Sequence, residues 1–490
     1  MTTAVARTPF AHQVALAELA LPHLAEVGGF GLFMQQRTGK TGTAIEVARR
    51  VAPRGRTLVL TPSQAGNVPR VWVSELAAAW PDSPPVTNLV GTRTERAETL
   101  RRLGDRPGVF VCNYDLALMP PLGPKYGARG RQEHNGLLAS LDFDLLVLDE
   151  SHRTKNPTSQ WGRAAVALAD RIPNRLALTG TPTHTPLDIW NQYRSIDRGL
   201  TFGRSYVDWR NGHMRPATKS EYRDADIVWL TQRKGVKPDA FKLIGLEDIQ
   251  QKMLTHAVRV DRTDVFPDMP PELPDDLRYV ELEPSARKLY RDMEKDAVAE
   301  LDAGIVSASN GGVKVLRLHQ LTGGTLQPRD LYNQPAGPAQ QVSDAKEKLL
   351  AELLEDSDDP VVVFGVFHTD LDAIARAAAK VGATCGELSG RRNDLEAWQA
   401  GETRVLAAQV QAGGVGIDLS RSSCIIFYAM GDSLIDHDQA RARIVGPKQT
   451  EPASFIYLLV RNSIDEDIYA GMQAGGNIAD FVLSRVRARV

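Results

Sequence analysis

Cysteine is almost absent. Cys112, Cys385 and Cys424 are the three in 490 residues, they lie far apart, and they form no C-x-x-C pair. That excludes a disulfide framework and a cysteine-built zinc site, and it fits a reducing compartment. No apolar run approaches the length of a membrane span, and the first residues lack the apolar core of a signal peptide. The expectation is a soluble, cytoplasmic protein with no membrane partner. A basic tail is missing too: 58 Lys and Arg stand against 60 Asp and Glu, for a net charge of −2. Any nucleic-acid partner must therefore be held by a local positive groove. What the chain does have is bulk. Its length, with 42% hydrophobic residues, allows roughly three domains with sizeable cores.

The stretch around which the rest is organised is Gln35-Gln36-Arg37-Thr38-Gly39-Lys40-Thr41. It follows an apolar run at 30–34 and leads into a helical pattern from Thr43. The order reads as strand, glycine turn, helix, which is the frame of a phosphate-binding loop. Gly39 lets the backbone approach an anion, and amides at the helix start face it. Lys40 would reach the β- and γ-phosphates, and the Thr41 hydroxyl would hold Mg²⁺. Met34 stands where the full phosphate-loop pattern has its first glycine. A bare Gly-Lys-Thr also occurs in ordinary turns, so the rest of the chain has to decide.

Near-continuous apolar runs at 57–60, 109–111, 145–148 and 175–178 read as parallel strands covered on both faces. Helical patterns at 71–80 and 94–103 lie between them. From about 197 to 340 the rhythm breaks at polar stretches and at Pro267, Pro270, Pro271 and Pro274. That region reads as a mostly helical insertion and linker, with 323–338 as its flexible joint. Strand-like runs return at 361–364, 405–408, 424–427 and 455–460. The expected architecture is α/β: a first parallel-sheet domain at 1–196, the insertion at 197–340, and a second parallel-sheet domain at 341–490.

Asp149-Glu150-Ser151-His152 directly follows the run at 145–148. A carboxylate pair at a strand end suits phosphoryl chemistry: Asp149 to bind Mg²⁺, Glu150 to orient and deprotonate the attacking water. The bland alternative is an acidic turn capping a helix. Thr179-Gly180-Thr181-Pro182 ends the next strand and would sense the γ-phosphate region. In the second domain Gly413-Gly414-Val415-Gly416-Ile417-Asp418 is a glycine-rich turn, followed by Gln439-Ala440 and Arg443. An arginine from one domain serving a nucleotide held by another is the arginine-finger arrangement. Gln13 carries an amide able to pair with both edge groups of adenine, though alone it is uninformative.

In this order the motifs resemble superfamily 2 helicases, most closely the Swi/Snf-type branch in its compact bacterial and phage form. The order runs Gln13, Thr-Gly-Lys-Thr, Thr61-Pro62, Asp-Glu-Ser-His, Thr-Gly-Thr-Pro, Gly-Gly-Val-Gly and Gln-Ala-x-x-Arg. Further matches are Trp72 with Glu75 and Trp80, 202–209, 316–320, and Ile464-Asp465-Glu466. The resemblance implies two RecA-like lobes, ATP and Mg²⁺ as ligands, and double-stranded DNA as partner. It places Gln13, Arg37, Thr38, Gly39, Lys40, Thr41, Gly416 and Asp418 around the nucleotide, with Thr41 and Asp149 on the metal. It makes Lys40, Asp149, Glu150 and Arg443 the catalytic set. It gives His152, Thr179, Thr181 and Gln439 a coupling role, and Thr61 and Pro62 a DNA contact. It also implies a monomer in a bacterial cell or phage-infected host, targeted by the insertion or by a partner protein.

Two departures stand out. Arg37 occupies a position where many relatives carry glycine, and Gly446 replaces a second arginine three positions after Arg443. Arg441 and Lys448 are nearby but out of register. The function expected is an ATP-driven translocase or helicase on duplex DNA without sequence preference. The alternatives are a nucleotide-gated DNA clamp with little turnover and an RNA helicase.

Overall fold

The structure is a computed structural model. It describes residues 7–62, 67–117, 138, 141–183, 186–221, 227–230, 239–302, 316–327, 337–410, 417–474, 482 and 485. The chain forms two compact units, Met1–Pro267 and Asp268–Val490.

In the first unit the strands are β1 (Gly29–Met34), β2 (Arg56–Thr61), β3 (Val86–Asn88), β4 (Gly108–Asn113), β5 (Leu145–Asp149), β6 (Asn174–Thr179), β7 (Met214–Pro216), β8 (Ile227–Leu230), β9 (Asp239–Leu243) and β10 (Ala257–Val260). Seven of them form one sheet in the order β10-β1-β6-β5-β2-β4-β3, and every pairing in it is parallel. The apolar runs are continuous because both faces are covered. Leu58, Leu60, Phe110, Cys112, Leu146 and Leu148 share a core with Ala164, Ala165 and Leu168 of the helix Gln160–Arg171. Phe33 and Ala177 pack with Ile189, Trp190, Tyr193 and Ile196 of the helix Ile189–Ile196. Strands β7, β9 and β8 make a small antiparallel sheet of their own.

The second unit contains β11 (Asp276–Val280), β12 (Thr325–Leu326), β13 (Gln340–Gln341), β14 (Val361–Gly365), β15 (Cys385–Leu388), β16 (Val405–Gln409), β17 (Cys424–Phe427) and β18 (Ser454–Val460). Its six-stranded sheet runs β11-β18-β17-β14-β16-β15, again all parallel. Side chains alternate between two cores as the pleat requires. Val362, Phe364, Leu406 and Ala408 face one, and Val361, Val363, Val405 and Ala407 face the other. Two α/β lobes, each built on a parallel sheet, are therefore present.

The stretch 197–340 differs from its sequence expectation. It is a mixture of helices and strands, and it is shared between the units. β10 adds to the first sheet beside β1, and β11 adds to the second beside β18. The division falls at Pro267, within the proline run rather than at 323–338. Prolines lack the N–H that a central strand must donate, so this run interrupts the chain between β10 and β11, which rejoins the edge of the second sheet only through 271–273. The expected joint includes residues 328–336, which lie outside the described residues, and its ends belong to the second unit. There β12 pairs antiparallel with β13, and Gly324 turns the chain at φ +92°.

Parallel strands bring all their C-terminal ends to one edge of a sheet, where ligands bind in such folds. In the first unit β1, β6 and β5 are neighbours, so the loop after β1, Thr179 and the Asp149-Glu150 pair meet at that edge.

Candidate functional site

The loop after β1 is stitched to itself. Thr38 Oγ1 donates to the Gln35 carbonyl at 2.7 Å, and Thr43 Oγ1 donates to the Gly39 carbonyl at 3.2 Å. Gly39 has φ +88°, and a Cβ there would sit 2.3 Å from Gln13 Nε2. Glycine is required on both counts. Arg37 has φ +69°, a left-handed conformation that an L side chain adopts at a cost. Lys40 Nζ donates to the carbonyls of Met34 at 3.0 Å and Gln35 at 3.4 Å, which holds the ammonium over the loop. Thr41 sits in the first turn of the helix Lys40–Val51.

Gln13 is joined to this loop. Its Nε2 donates to the Gly39 carbonyl at 3.0 Å, and its Oε1 accepts from the Phe10 N–H at 2.9 Å. Its neighbour His12 donates from Nε2 to the Thr38 carbonyl at 2.8 Å. The rings of Phe10, His12 and Phe266 form a mutual cluster alongside, with centroids 5.4–5.6 Å apart. No local pattern marks Phe266 as a neighbour of Gln13, since the two lie far apart along the chain.

Asp149 and Glu150 are both buried. Asp149 Oδ2 accepts from Trp72 Nε1 at 2.8 Å, and its Oδ1 accepts from the Glu150 N–H at 3.0 Å. Burial, with the neighbouring Glu150 charge, pushes the Asp149 carboxyl up to about 7; the Trp72 hydrogen bond and Lys40 oppose the shift. Glu150 turns the chain at φ +50°, and its Oε2 lies 3.3 Å from His152 Nδ1. The same His152 nitrogen lies 3.0 Å from Thr179 Oγ1, which also accepts from the Thr181 N–H at 3.2 Å. Glu150, His152, Thr179 and Thr181 thus form one connected line across β5 and β6. Two members went unnoticed in the sequence. Tyr114 donates its hydroxyl proton to the Asp149 carbonyl at 2.8 Å. Gln192 accepts from Ser151 Oγ at 2.9 Å and donates to the Pro182 carbonyl, tying the two motifs together. Trp72 stood out only as a family match, and its partner is 77 residues away.

Thr61 and Pro62 lie at the end of β2. Both are buried, and Thr61 Oγ1 donates to the Cys112 carbonyl at 3.3 Å.

Within the second unit, Gly416 lies outside the described residues. The Asp418 carboxylate accepts from Ser420 Oγ at 2.7 Å and from Lys448 Nζ at 3.0 Å, so Lys448 is committed there. Arg441 ends the helix Leu434–Arg441 and is bound to Asp275 at 2.6 Å. Both cations near Gly446 thus have carboxylate partners within the second unit. Arg443 is buried in the next turn, with its N–H donating to the Ala440 carbonyl at 3.1 Å. Gln439 is buried, and among the described residues neither of its amide atoms meets a hydrogen-bond partner.

The SNF2-related domain matches residues 25–336. Protein p41 of Acyrthosiphon pisum secondary endosymbiont phage 1 is 23% identical over 494 residues, covering 96% of this chain and 98% of p41. The ATP-dependent helicase FUN30 of Saccharomyces cerevisiae is 23% identical over 492 residues, covering 86% of this chain but 42% of its own length. Among solved structures, the Sulfolobus solfataricus SWI2/SNF2 ATPase core in complex with dsDNA aligns over 100% of this chain and 96% of that one, at 18% identity and a TM-score of 0.43. With the domain match spanning well over half the chain, this protein belongs to the SNF2-related family.

Proposed function

We propose that the chain is an ATP-hydrolysing motor that moves along duplex DNA without sequence preference. The observation that carries this reading is the buried Asp149-Glu150 pair, coupled electrostatically to Lys40 of the phosphate loop. Two adjacent carboxylates away from solvent are costly to keep charged, and phosphoryl transfer beside a metal gives them a use. Gln13 holds the loop and reads the base, and Lys40 leaves the carbonyls of Met34 and Gln35 for the β- and γ-phosphates. Glu150, oriented by His152, takes the proton of the attacking water. Thr41 and Asp149 supply hard oxygen donors that fit Mg²⁺, which when bound neutralises charge on the phosphate oxygens. The line from Glu150 through His152 to Thr179 and Thr181 connects the hydrolytic carboxylate to the next strand end. Arg443 of the second unit is the finger for the transferring phosphoryl group. Binding to the track goes mainly through phosphates.

One observation favours a second reading, a nucleotide-gated clamp with little turnover. Gly446 has no side chain, and Arg441 and Lys448 are engaged by Asp275 and Asp418. Steady-state phosphate release with duplex DNA, single-stranded DNA, forked DNA and RNA separates the readings. The motor requires strong stimulation, greatest with duplex DNA. Stimulation by RNA alone would make the chain an RNA helicase. ATP-dependent retention on DNA without stimulated release would favour the clamp.

A further inference from the structure

Arg441 is held more firmly than an ordinary helix-end arginine. Its Nη1 donates to Asp275 Oδ1 at 2.6 Å and to the Tyr457 hydroxyl at 2.7 Å, and its Nη2 donates to Glu272 Oε2 at 3.2 Å. The guanidinium carbon lies 3.7 Å from the centre of the Phe455 ring. A planar fork on two carboxylates and an aromatic face fixes the direction of the side chain as well as its charge. Asp275 is equally occupied on its other side. Its Oδ2 accepts from the Tyr469 hydroxyl at 2.9 Å and from Gln473 Nε2 at 3.3 Å.

Four elements meet at this pair: the helix Leu434–Arg441, strand β18 through Phe455 and Tyr457, the helix Ile464–Ala474, and the segment 271–275 by which the chain enters the second unit. That segment is itself pinned. The Leu273 N–H donates to the Ala453 carbonyl at 2.8 Å, and the Ala453 N–H donates to the Pro271 carbonyl at 3.1 Å. Arg443 follows two residues after Arg441, in a turn closed by bonds from Arg443 N to the Ala440 carbonyl and from Ile444 N to the Arg441 carbonyl. The anchor of Arg441 therefore sets the heading of the backbone that presents Arg443.

We infer that Asp275 and Arg441 are positioning residues for Arg443, so that the entry segment braces the finger turn. This rests on the reading of Arg443 as the finger. A finger must meet its phosphoryl oxygen within a few tenths of an ångström to contribute fully. Loosening the brace costs transition-state contact and leaves nucleotide binding alone.

The experiment is DNA-stimulated ATP hydrolysis by the full chain carrying Arg441→Lys, Asp275→Asn, Asp275→Glu, Arg443→Ala, or Arg441→Lys with Arg443→Ala. Thermal unfolding is recorded for each. Lysine keeps the charge but cannot fork. Arg441→Lys and Asp275→Asn are expected to lower kcat about tenfold with KM for ATP within twofold, and Asp275→Glu to restore most of it. The double variant is expected to match Arg443→Ala, because Arg441 acts only through Arg443. A further tenfold loss in the double variant would overturn the inference, as would a KM effect with kcat unchanged. Should Asp275→Asn unfold, Arg441→Lys and Asp275→Glu still decide. Arg443→Ala impaired with Arg441→Lys at the parent rate sinks the brace alone. Arg443→Ala at the parent rate sinks the finger and the brace with it.

Discussion

The two lobes share a sheet type and differ in how they treat polar side chains. In the first, a buried amide, Gln13, makes two hydrogen bonds to its own lobe. In the second, another buried amide, Gln439, makes none among the described residues. The first lobe also links Asp149 to Trp72, and Glu150 to His152 and Thr179. The second pairs Arg441 with Asp275 and Glu272, and Lys448 with Asp418. A lobe that must cradle a polyanion needs its polar groups oriented before the ligand arrives. A lobe that delivers one group needs that group held in place by its surroundings.

The comparison breaks first at Lys40. If the first lobe holds the nucleotide, Lys40→Ala reduces turnover on the order of 10³-fold or more while thermal unfolding stays near the parent. Parent-rate hydrolysis by the folded variant would make the loop a structural turn.

Next comes Glu150→Gln, expected to slow single-turnover hydrolysis on the order of 10²-fold with ATP binding kept. This change also removes the charge that helps raise Asp149. If Asp149 holds Mg²⁺ as proposed, the ion has to displace a proton from a carboxyl held up to about 7, so Mg²⁺ affinity should climb as pH rises from 6 to 8. In Glu150→Gln the Asp149 carboxyl falls, and that climb should flatten and move to lower pH. Titrating Mg²⁺ at several pH values checks it, and an unaltered pH profile would separate the two carboxylates.

The smallest effect sharpens the contrast between the amides. Gln13→Ala removes the partner of the Phe10 N–H and one of the donors to the Gly39 carbonyl, which Thr43 still satisfies, and is expected to cost about 1 kcal/mol of stability. Gln439→Ala removes a buried amide that bonds nothing within the described residues, so its cost should be near zero or reversed. Equal losses in denaturant unfolding would mean that Gln439 has partners inside its own lobe.

Much of this was legible in the sequence. Every strand read from a continuous apolar run is present, because burial on both faces leaves a strong compositional trace. The order of the motifs gave the family, and their adjacency follows from parallel strands ending at one edge. Short edge strands were not legible. Ala257–Val260 and Asp276–Val280 are four and five residues long, mix charge with apolar residues, and earn their places only through partners far along the chain. The indole of Trp72 on Asp149 and the grip of Asp275 on Arg441 were hidden for the same reason. Nothing local distinguishes a tryptophan that will donate to a carboxylate 77 residues away.

The point of division at Pro267 governs how this protein can be taken apart. Each outer strand, β10 and β11, lies between residues 197 and 340, on opposite sides of that proline. Truncating after residue 196 would strip β10 and bare the flank of β1, whose apolar run Phe30–Met34 is a ready template for unwanted pairing. Starting a fragment at residue 341 would do the same to β18. Only a cut in the proline run leaves each sheet with its own selvedge.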